Sequence, residues 1–183
     1  TLLDLQERRN TPRLDIMLDA LTEIERGITS FCDNMDGIVR DSLVSRKEEL
    51  LDMQREQLFE GKSSSGEDLH PSYSEDIKPG GYFNTLQAAE NYKKWKEQLT
   101  YPSDAVRNPD APNLYINGKF HLELDIEFAD EYLCFCGSTS YSRKIISKYG
   151  EGNFGLTKER WGEVSEEYIK PDLVRNFFEM IEI

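Results

Sequence analysis

The stretch from residue 120 to residue 128 alternates between apolar and polar side chains. Its apolar members are Phe120, Leu122, Leu124, Ile126 and Phe128, and the polar members between them are His121, Glu123, Asp125 and Glu127. Successive side chains of a β-strand point to opposite faces, so this period of two predicts a half-buried strand. We expect one face to be core and the other to meet solvent or a partner.

Turn signals on both sides of this strand predict neighbouring strands. Asn117-Gly118 tolerates positive φ, which favours a tight turn after a short strand at 114–116. Beyond the alternating stretch, residues 129–131 are expected to turn the chain into an antiparallel strand at 132–136 that ends at Gly137. The pattern predicts a small antiparallel sheet of three to four strands.

The first third of the chain has the periodicity of helices. Apolar residues recur at three- and four-residue steps between Leu14 and Phe31, after Thr11-Pro12, which is typical of a helix start. Asp36-Gly37 predicts the end of this helix. We therefore expect an N-terminal helical arm at 1–36 and a core domain at 37–183.

Further helices are predicted within the core domain. One runs from about residue 38 to residue 60 and ends at Gly61. Others are expected at 142–149, from Thr157 onward, and at 172–182 after a kink or restart at Pro171. The fold class that follows is α+β, with the small sheet packed against the long helices at 38–60 and 172–182.

The segment at 62–113 is too long for a plain connection in a compact domain and is expected to be an insert with a function of its own. It contains a short helix from Thr85 to Leu99. Tyr92 and Trp95 alternate with lysines in this helix, a pattern that single-stranded nucleic acids can stack on. An amphipathic helix with solvated lysines gives the same pattern, and we favour it.

Net charge limits the classes of partner. The chain carries 22 Lys and Arg against 35 Asp and Glu, a formal net charge of −13. Affinity for nucleic acid or for anionic lipid comes mainly from cations, so neither specific nucleic-acid binding nor a membrane role is expected. No signal peptide or membrane-spanning run is expected either. Apolar residues make up 38% of the chain, a modest share that favours burial completed by a partner.

Two groups of residues are candidates for chemical sites, the polar residues of the alternating stretch and the cysteines. His121, Glu123, Asp125 and Glu127 include ligands for a divalent metal and groups for acid–base chemistry, but alternate residues of a strand lie roughly 7 Å apart and diverge. A solvated or interfacial acidic stripe is the favoured interpretation. Cys134 and Cys136 lack a second ligand pair for zinc and are expected to be small buried residues, whereas Cys32 is placed near the apolar face of the first helix; the odd count of three favours a reducing compartment. We therefore expect no metal, no cofactor and no catalytic residues.

The order of several short motifs resembles that of a known family. In chain order the motifs are QREQLFEG at 54–61, GEDLHPSY at 66–73, LYINGKF at 114–120, IISKYG at 145–150 and FGL at 154–156. This arrangement resembles the phage virion morphogenesis family, the tail-completion and head–tail joining proteins of tailed phages. The similarity covers about residues 39–181.

The resemblance implies structural work in a virus particle. Such proteins form or complete a ring at the neck or at the head-proximal end of the tail, as connector, tail-completion or tail-terminator proteins. The implied partners are copies of the chain in a ring and neighbouring connector, portal or tail proteins, with DNA passing through an acidic channel. The implied location is the virion, assembled in the bacterial cytoplasm. His121, Glu123, Asp125, Glu127, Tyr92 and Trp95 are the candidate interface or channel-facing residues.

Two alternatives remain open from the sequence. The first is a host-directed adaptor or binding module that recognises one partner through the 62–113 insert. The second is a metal-dependent hydrolase that uses His121 and the neighbouring carboxylates.

Overall fold

The chain folds into two compact units. A computed structural model describes residues 2–79, 81–102, 104, 106–129, 132–137 and 140–181. Thr1–Ser45 and Val164–Ile183 form the helical unit, and Arg46–Glu163 form the mixed unit. The fold is a mixture of helices with a small antiparallel sheet, which agrees with the predicted α+β class.

The helical unit contains one long helix. Helix α1 extends over Leu2–Ser45, so the predicted start at Thr11 and the predicted break at Asp36-Gly37 are both wrong. Gly37 lies exposed on this helix, and nothing lies within 4 Å of the position its Cβ would take. An exposed glycine costs a helix only about 1 kcal/mol relative to alanine, and the good helix formers around it outweigh that cost.

Helix α7 (Lys170–Ile181) packs antiparallel to α1. Gly27 of α1 lies against the carbonyl of Met180, and the ring of Phe31 meets that of Phe177 edge-on at 5.2 Å. Residue numbers rise along α1 as they fall along α7, which gives the antiparallel direction. The final helix thus pairs with α1, whereas the sequence had assigned it to a layer against the sheet.

The predicted kink at Pro171 takes the form of a π-helical turn. Residues Ser165–Ile169 form this turn directly before α7, and the N–H of Lys170 bonds to the carbonyl of Ser165. Proline lacks an N–H and crowds the preceding turn. The wider turn before it lets the helix continue, and widened turns of this kind are common causes of helix bending.

Helix α2 (Lys47–Phe59) is central to the mixed unit, with Leu50, Leu51 and Leu58 almost fully buried. It ends where the sequence predicted. Gly61 has φ of +76°, its N–H bonds to the carbonyl of Leu58, and the next N–H bonds to that of Gln57. This pair of bonds is the Schellman ending that glycine favours.

The described residues form two strands, so the expectation of three to four is not confirmed. Strand β1 (Leu124–Phe128) pairs antiparallel with β2 (Leu133–Gly137), with Ile126 opposite Phe135. This hairpin was predicted, and β1 packs against α2 as expected. Two residues of the predicted turn, Asp130 and Glu131, lie outside the described residues.

The first half of the alternating stretch is a turn of helix instead of strand. Gly118 has φ of +77° and precedes the short helix α4 (Lys119–Leu122), in which Leu122 N–H bonds to the Gly118 carbonyl at 2.9 Å. The predicted strand at 114–116 is also absent, because Leu114 has φ of +54°, a value incompatible with a strand. As a result Leu122, predicted to be core, is exposed.

The 62–113 segment folds around an aromatic cluster and one helix. Helix α3 (Leu86–Glu97) starts as predicted at Thr85, whose hydroxyl accepts the Ala88 N–H at 3.2 Å. Tyr73, Phe83 and Ala89 are buried together, with Ile77 and Tyr92 packed against them. The described residues of the predicted insert therefore pack around an apolar cluster of their own.

Short helices complete the mixed unit. They are α5 (Ser140–Tyr149), a 3₁₀ turn at Glu151–Asn153 and α6 (Lys158–Val164), which Thr157 caps by accepting the Arg160 N–H. Two polar side chains of α2 hold the loop before α6. Gln57 bonds to the Gly155 carbonyl and the Thr157 N–H, each at 2.9 Å, and Gln54 accepts the Gly155 N–H at 2.7 Å.

Candidate functional site

His121 lies at the centre of a buried polar network. Only 3% of the residue is exposed, and its ring stacks on Phe59 with ring centroids 4.3 Å apart. The ring of Tyr115 approaches it edge-on at 5.4 Å, and the guanidinium of Arg55 donates to its carbonyl at 3.0 Å. Helix α2 supplies Phe59 and Arg55, so this helix fixes the imidazole in place.

The tautomer of His121 follows from its contacts. Nε2 lies 3.0 Å from the carbonyl oxygen of Asn113, which can only accept, so Nε2 carries the proton. In a neutral imidazole the other nitrogen is then an acceptor. Nδ1 is buried, and among the described residues it has no hydrogen-bond partner. A proton there would have no acceptor, and burial, followed by the charges of Lys96 and Arg55, lowers the pKa of His121 to about 4.

A buried lysine completes the network. Lys96 is 1% exposed, and its ammonium donates to Asn113 Oδ1 at 2.6 Å and to the Tyr115 carbonyl. Neither acceptor carries a charge, so burial lowers the pKa of Lys96 to about 7, with the positive charge of Arg107 as the second cause. The lysine thus joins α3 to the segment that leads into α4.

The exposed side of this network is the wall of a cleft. The cleft has a volume of about 660 Å³ and lies between α2, the residues Pro102 and Asp104, and α4. Besides His121, its wall includes Asp52, Arg55, Glu56, Phe59, Asp104 and Tyr115. We call this feature the His121 cleft. Its lining combines aromatic rings with carboxylates, and this combination suits a cationic ligand.

Three of the four charged side chains that line the cleft already have partners. Arg55 Nη1 lies 2.6 Å from Asp52 Oδ1, and Glu56 lies 3.2 Å from the guanidinium of Arg160. Asp104 is exposed at the mouth.

The predicted acidic stripe does not form on one face. His121 belongs to α4, Glu123 follows it at the helix end, and only Asp125 and Glu127 are in a strand. Asp125 lies 2.5 Å from the ammonium of Lys47, whose hydrogen bond lowers the pKa of that carboxyl. Glu127 is exposed. The helical turn at 119–122 separates the residues that strand geometry would have aligned.

The cysteines are less buried than predicted. Cys32 and Cys134 are exposed, and Cys136 is half-buried. Cys134 is opposite Glu127 and Cys136 opposite Asp125 across the hairpin. Burial, followed by the charges of Glu127 and Asp125, raises the pKa of the Cys136 thiol. The short hairpin leaves this face without the second layer that buried cysteines would need.

Tyr92 and Trp95 do not form an open stacking surface together. Tyr92 belongs to the aromatic cluster, with ring centroids 5.2 Å from Tyr73 and 5.3 Å from Trp95, whereas Trp95 is 40% exposed. Lys93 pairs with Glu90 and with Asp110, at 3.1 and 3.3 Å. Lys96 is buried, so the interpretation of solvated lysines is wrong for that position.

The sequence did not predict that the residues around His121 form one network, and it assigned Lys96 to a solvated helix face. Lys96, Asn113 and Tyr115 come from segments whose contacts are long-range, and no local period marks them. Arg55 and Phe59 lie on a helix that was predicted, but the sequence gives no reason to place α4 against them.

Neither a metal site, nor a membrane span, nor a similar known protein identifies the function of the described residues. Within the described parts of the chain, no group of three or more His, Cys, Asp or Glu side chains is placed to hold a metal ion. Among these residues there is also no helix with the length and hydrophobicity to span a membrane. No family model, no curated protein and no solved structure matches the chain.

Proposed function

We propose that the protein is a structural component of a tailed-phage particle, one that forms or completes a ring at the neck or at the head-proximal end of the tail. The motif order described above supports this assignment, because it resembles that of the tail-completion and head–tail joining proteins. The acidic composition also suits a component that DNA must pass without binding.

A single observation carries the proposal of self-assembly, an apolar stripe on α1. Leu14 and Leu18 are four residues apart, as are Met17 and Leu21, and these two pairs are offset by three, so all four share one face of the helix. Each is between 53% and 59% exposed. An amphipathic helix normally buries such a face.

The position of the stripe explains its exposure. The contacts between α1 and α7 lie at Gly27 and Phe31, and Met180 of α7 is already level with Gly27. Because the helices are antiparallel, residues 14–21 extend beyond the end of α7 that the structure describes. A second copy of the chain is the partner that we propose for this stripe, because a ring repeats the same contact between copies.

Solution association with a charged variant tests the proposal. Leu18→Asp places a carboxylate in the stripe, and we expect it to abolish the concentration-dependent increase in mass seen by sedimentation velocity. Ile16→Asp is the matched control. Ile16 is 68% exposed on the same helix, but its position two residues from Leu14 and Leu18 turns it away from the stripe. The control should associate as the parent chain does.

Three results would count against self-assembly. They are a parent chain that stays monomeric at millimolar concentration, equal loss of association in both variants, or purified particles that lack the chain. Association should also strengthen with salt, since apolar contacts persist while repulsion between acidic copies is screened.

The tyrosine-lined cavity beside α3 favours one alternative, an adaptor that recognises a single partner through the 62–113 segment. The cavity has a volume of about 350 Å³, and its lining includes Tyr73, Tyr82, Tyr92 and Tyr149. An adaptor should remain monomeric and form a one-to-one complex, and Tyr82→Ala should weaken that complex without changing self-association.

A further inference from the structure

We propose that the His121 cleft binds the guanidinium group of an arginine side chain presented by a partner protein. The inference goes beyond the assembly role and does not rest on it, because the cleft belongs to the mixed unit and the apolar stripe to the helical unit.

The first argument is that Nδ1 of His121, a residue of the cleft lining, is a hydrogen-bond acceptor with no described donor. The Nε2–H of His121 is used by the Asn113 carbonyl, so Nδ1 presents a lone pair. This atom is buried, and no described residue donates to it. Buried acceptors in folded proteins nearly always have a partner, and a ligand with an N–H donor would supply one to Nδ1.

The second argument is the sign of the charge. The lining includes three carboxylates, but Asp52 is paired with Arg55 and Glu56 with Arg160, so Asp104 is the lining carboxylate with no described ion pair. Arg55 is already held by Asp52 and by the His121 carbonyl. Asp104 is exposed at the mouth, and the chain as a whole carries a net charge of −13. A donor that is also a cation is therefore favoured over a neutral donor or an anion.

The third argument is shape. Phe59 and Tyr115 contribute aromatic rings to the same lining as His121. A guanidinium is planar and weakly hydrated, so it stacks on rings while its edges donate to acceptors, and a lysine ammonium does this less well. The volume of about 660 Å³ exceeds that of one side chain, so the cleft also has room for neighbouring residues of the partner segment.

Imidazole NMR with a defined probe tests the proposal. The probe is a capped Gly-Arg-Gly peptide, and its controls are the same peptide with citrulline, a neutral analogue, or with lysine. The chain has two histidines, His70 and His121. His70 is exposed and pairs with Glu75, so it is the internal reference. The arginine peptide should shift the Nδ1 resonance of His121 in a saturable manner, with affinity about tenfold above that of either control peptide.

Two variants check the residues involved. His121→Phe keeps a ring on Phe59 but has no Nδ1, and it should lose most of the binding measured by calorimetry. Asp104→Asn removes the exposed carboxylate and should weaken binding several-fold. Asp19→Asn is its matched control, because it makes the same change of charge on the exposed surface of α1, and it should leave the affinity unchanged.

Several outcomes would overturn the proposal. They are an unmoved His121 resonance at millimolar arginine peptide, equal binding of the arginine and citrulline peptides, or equal effects of Asp104→Asn and Asp19→Asn. If His121→Phe does not fold, the imidazole NMR spectrum of the parent chain and the comparison of Asp104→Asn with Asp19→Asn still test the proposal.

Discussion

Two glycines of α1 give opposite predictions for the same substitution. A Cβ at Gly27 would lie 2.4 Å from the carbonyl oxygen of Met180 and 3.0 Å from Cγ2 of Ile181. A Cβ at Gly37 would have nothing within 4 Å. Alanine in either place gains about 1 kcal/mol of helix propensity, since glycine loses more backbone entropy on folding. Only Gly27→Ala forces α1 and α7 apart.

The steric term can be estimated from these distances. The last turn of α7 must retreat by about 1 Å to restore an ordinary carbon–oxygen contact, and overpacking of this kind costs about 1 to 3 kcal/mol. We expect Gly27→Ala to lower the free energy of unfolding by up to about 2 kcal/mol and Gly37→Ala to raise it by about 1 kcal/mol. The difference between the variants isolates the steric term, because both gain the same propensity.

Urea denaturation with two probes measures the effect. Far-UV circular dichroism follows all helices, including α1. Tryptophan fluorescence follows the mixed unit alone, because Trp95 and Trp161 are the only two tryptophans and both belong to it. The early part of the circular dichroism transition should move in opposite directions in the two variants. If Gly27→Ala is as stable as Gly37→Ala, the close packing of α1 on α7 is refuted.

Three further predictions concern the mixed unit. Because the pKa of His121 falls from 6.5 to about 4 on folding, the unfolded chain binds the extra proton first, so stability should fall by about 3 kcal/mol between pH 6.5 and pH 4. His121→Phe should lose this dependence in acid denaturation, and an unchanged pH profile would contradict the burial of a neutral His121. Lys96, with a pKa of about 7, should make stability rise from pH 7 toward pH 10, and Lys96→Met should flatten that rise in urea titrations. Leu124→Asp should cost several kcal/mol because the residue is buried, whereas Asp125→Asn should cost less than about 1 kcal/mol because its pair with Lys47 is half-exposed. Equal losses from these last two variants in thermal denaturation would refute the assignment of the strand faces.

Local signals predicted the parts of the fold that local chemistry determines. The helix cap at Thr85, the glycine ending at Gly61 and the hairpin of β1 and β2 all depend on neighbouring residues, and each is confirmed. The break expected at Gly37 is a case in which a weak local preference lost to the helix around it.

The alternating stretch shows why the rest could not be predicted. A period of two is compatible with a strand, but the positive φ of Gly118 starts a helical turn that uses the same residues. That turn moves His121 from an expected exposed face to a buried position on Phe59. The His121 cleft depends on this contact with α2, which lies far away in the sequence and leaves no periodic trace.

The pairing of α1 with α7 has a consequence for how the chain is made. The whole of the mixed unit, Arg46–Glu163, is synthesised between these two helices. Closing so long a loop costs about 4 kcal/mol while the intervening chain is unfolded, so the mixed unit is expected to fold first and the helix pair last. Until α7 has been synthesised, Phe31 of α1 lacks its contact with Phe177 and stays exposed. A chain broken after residue 163 would keep that surface exposed, so proteases and chaperones could distinguish unfinished copies from finished ones.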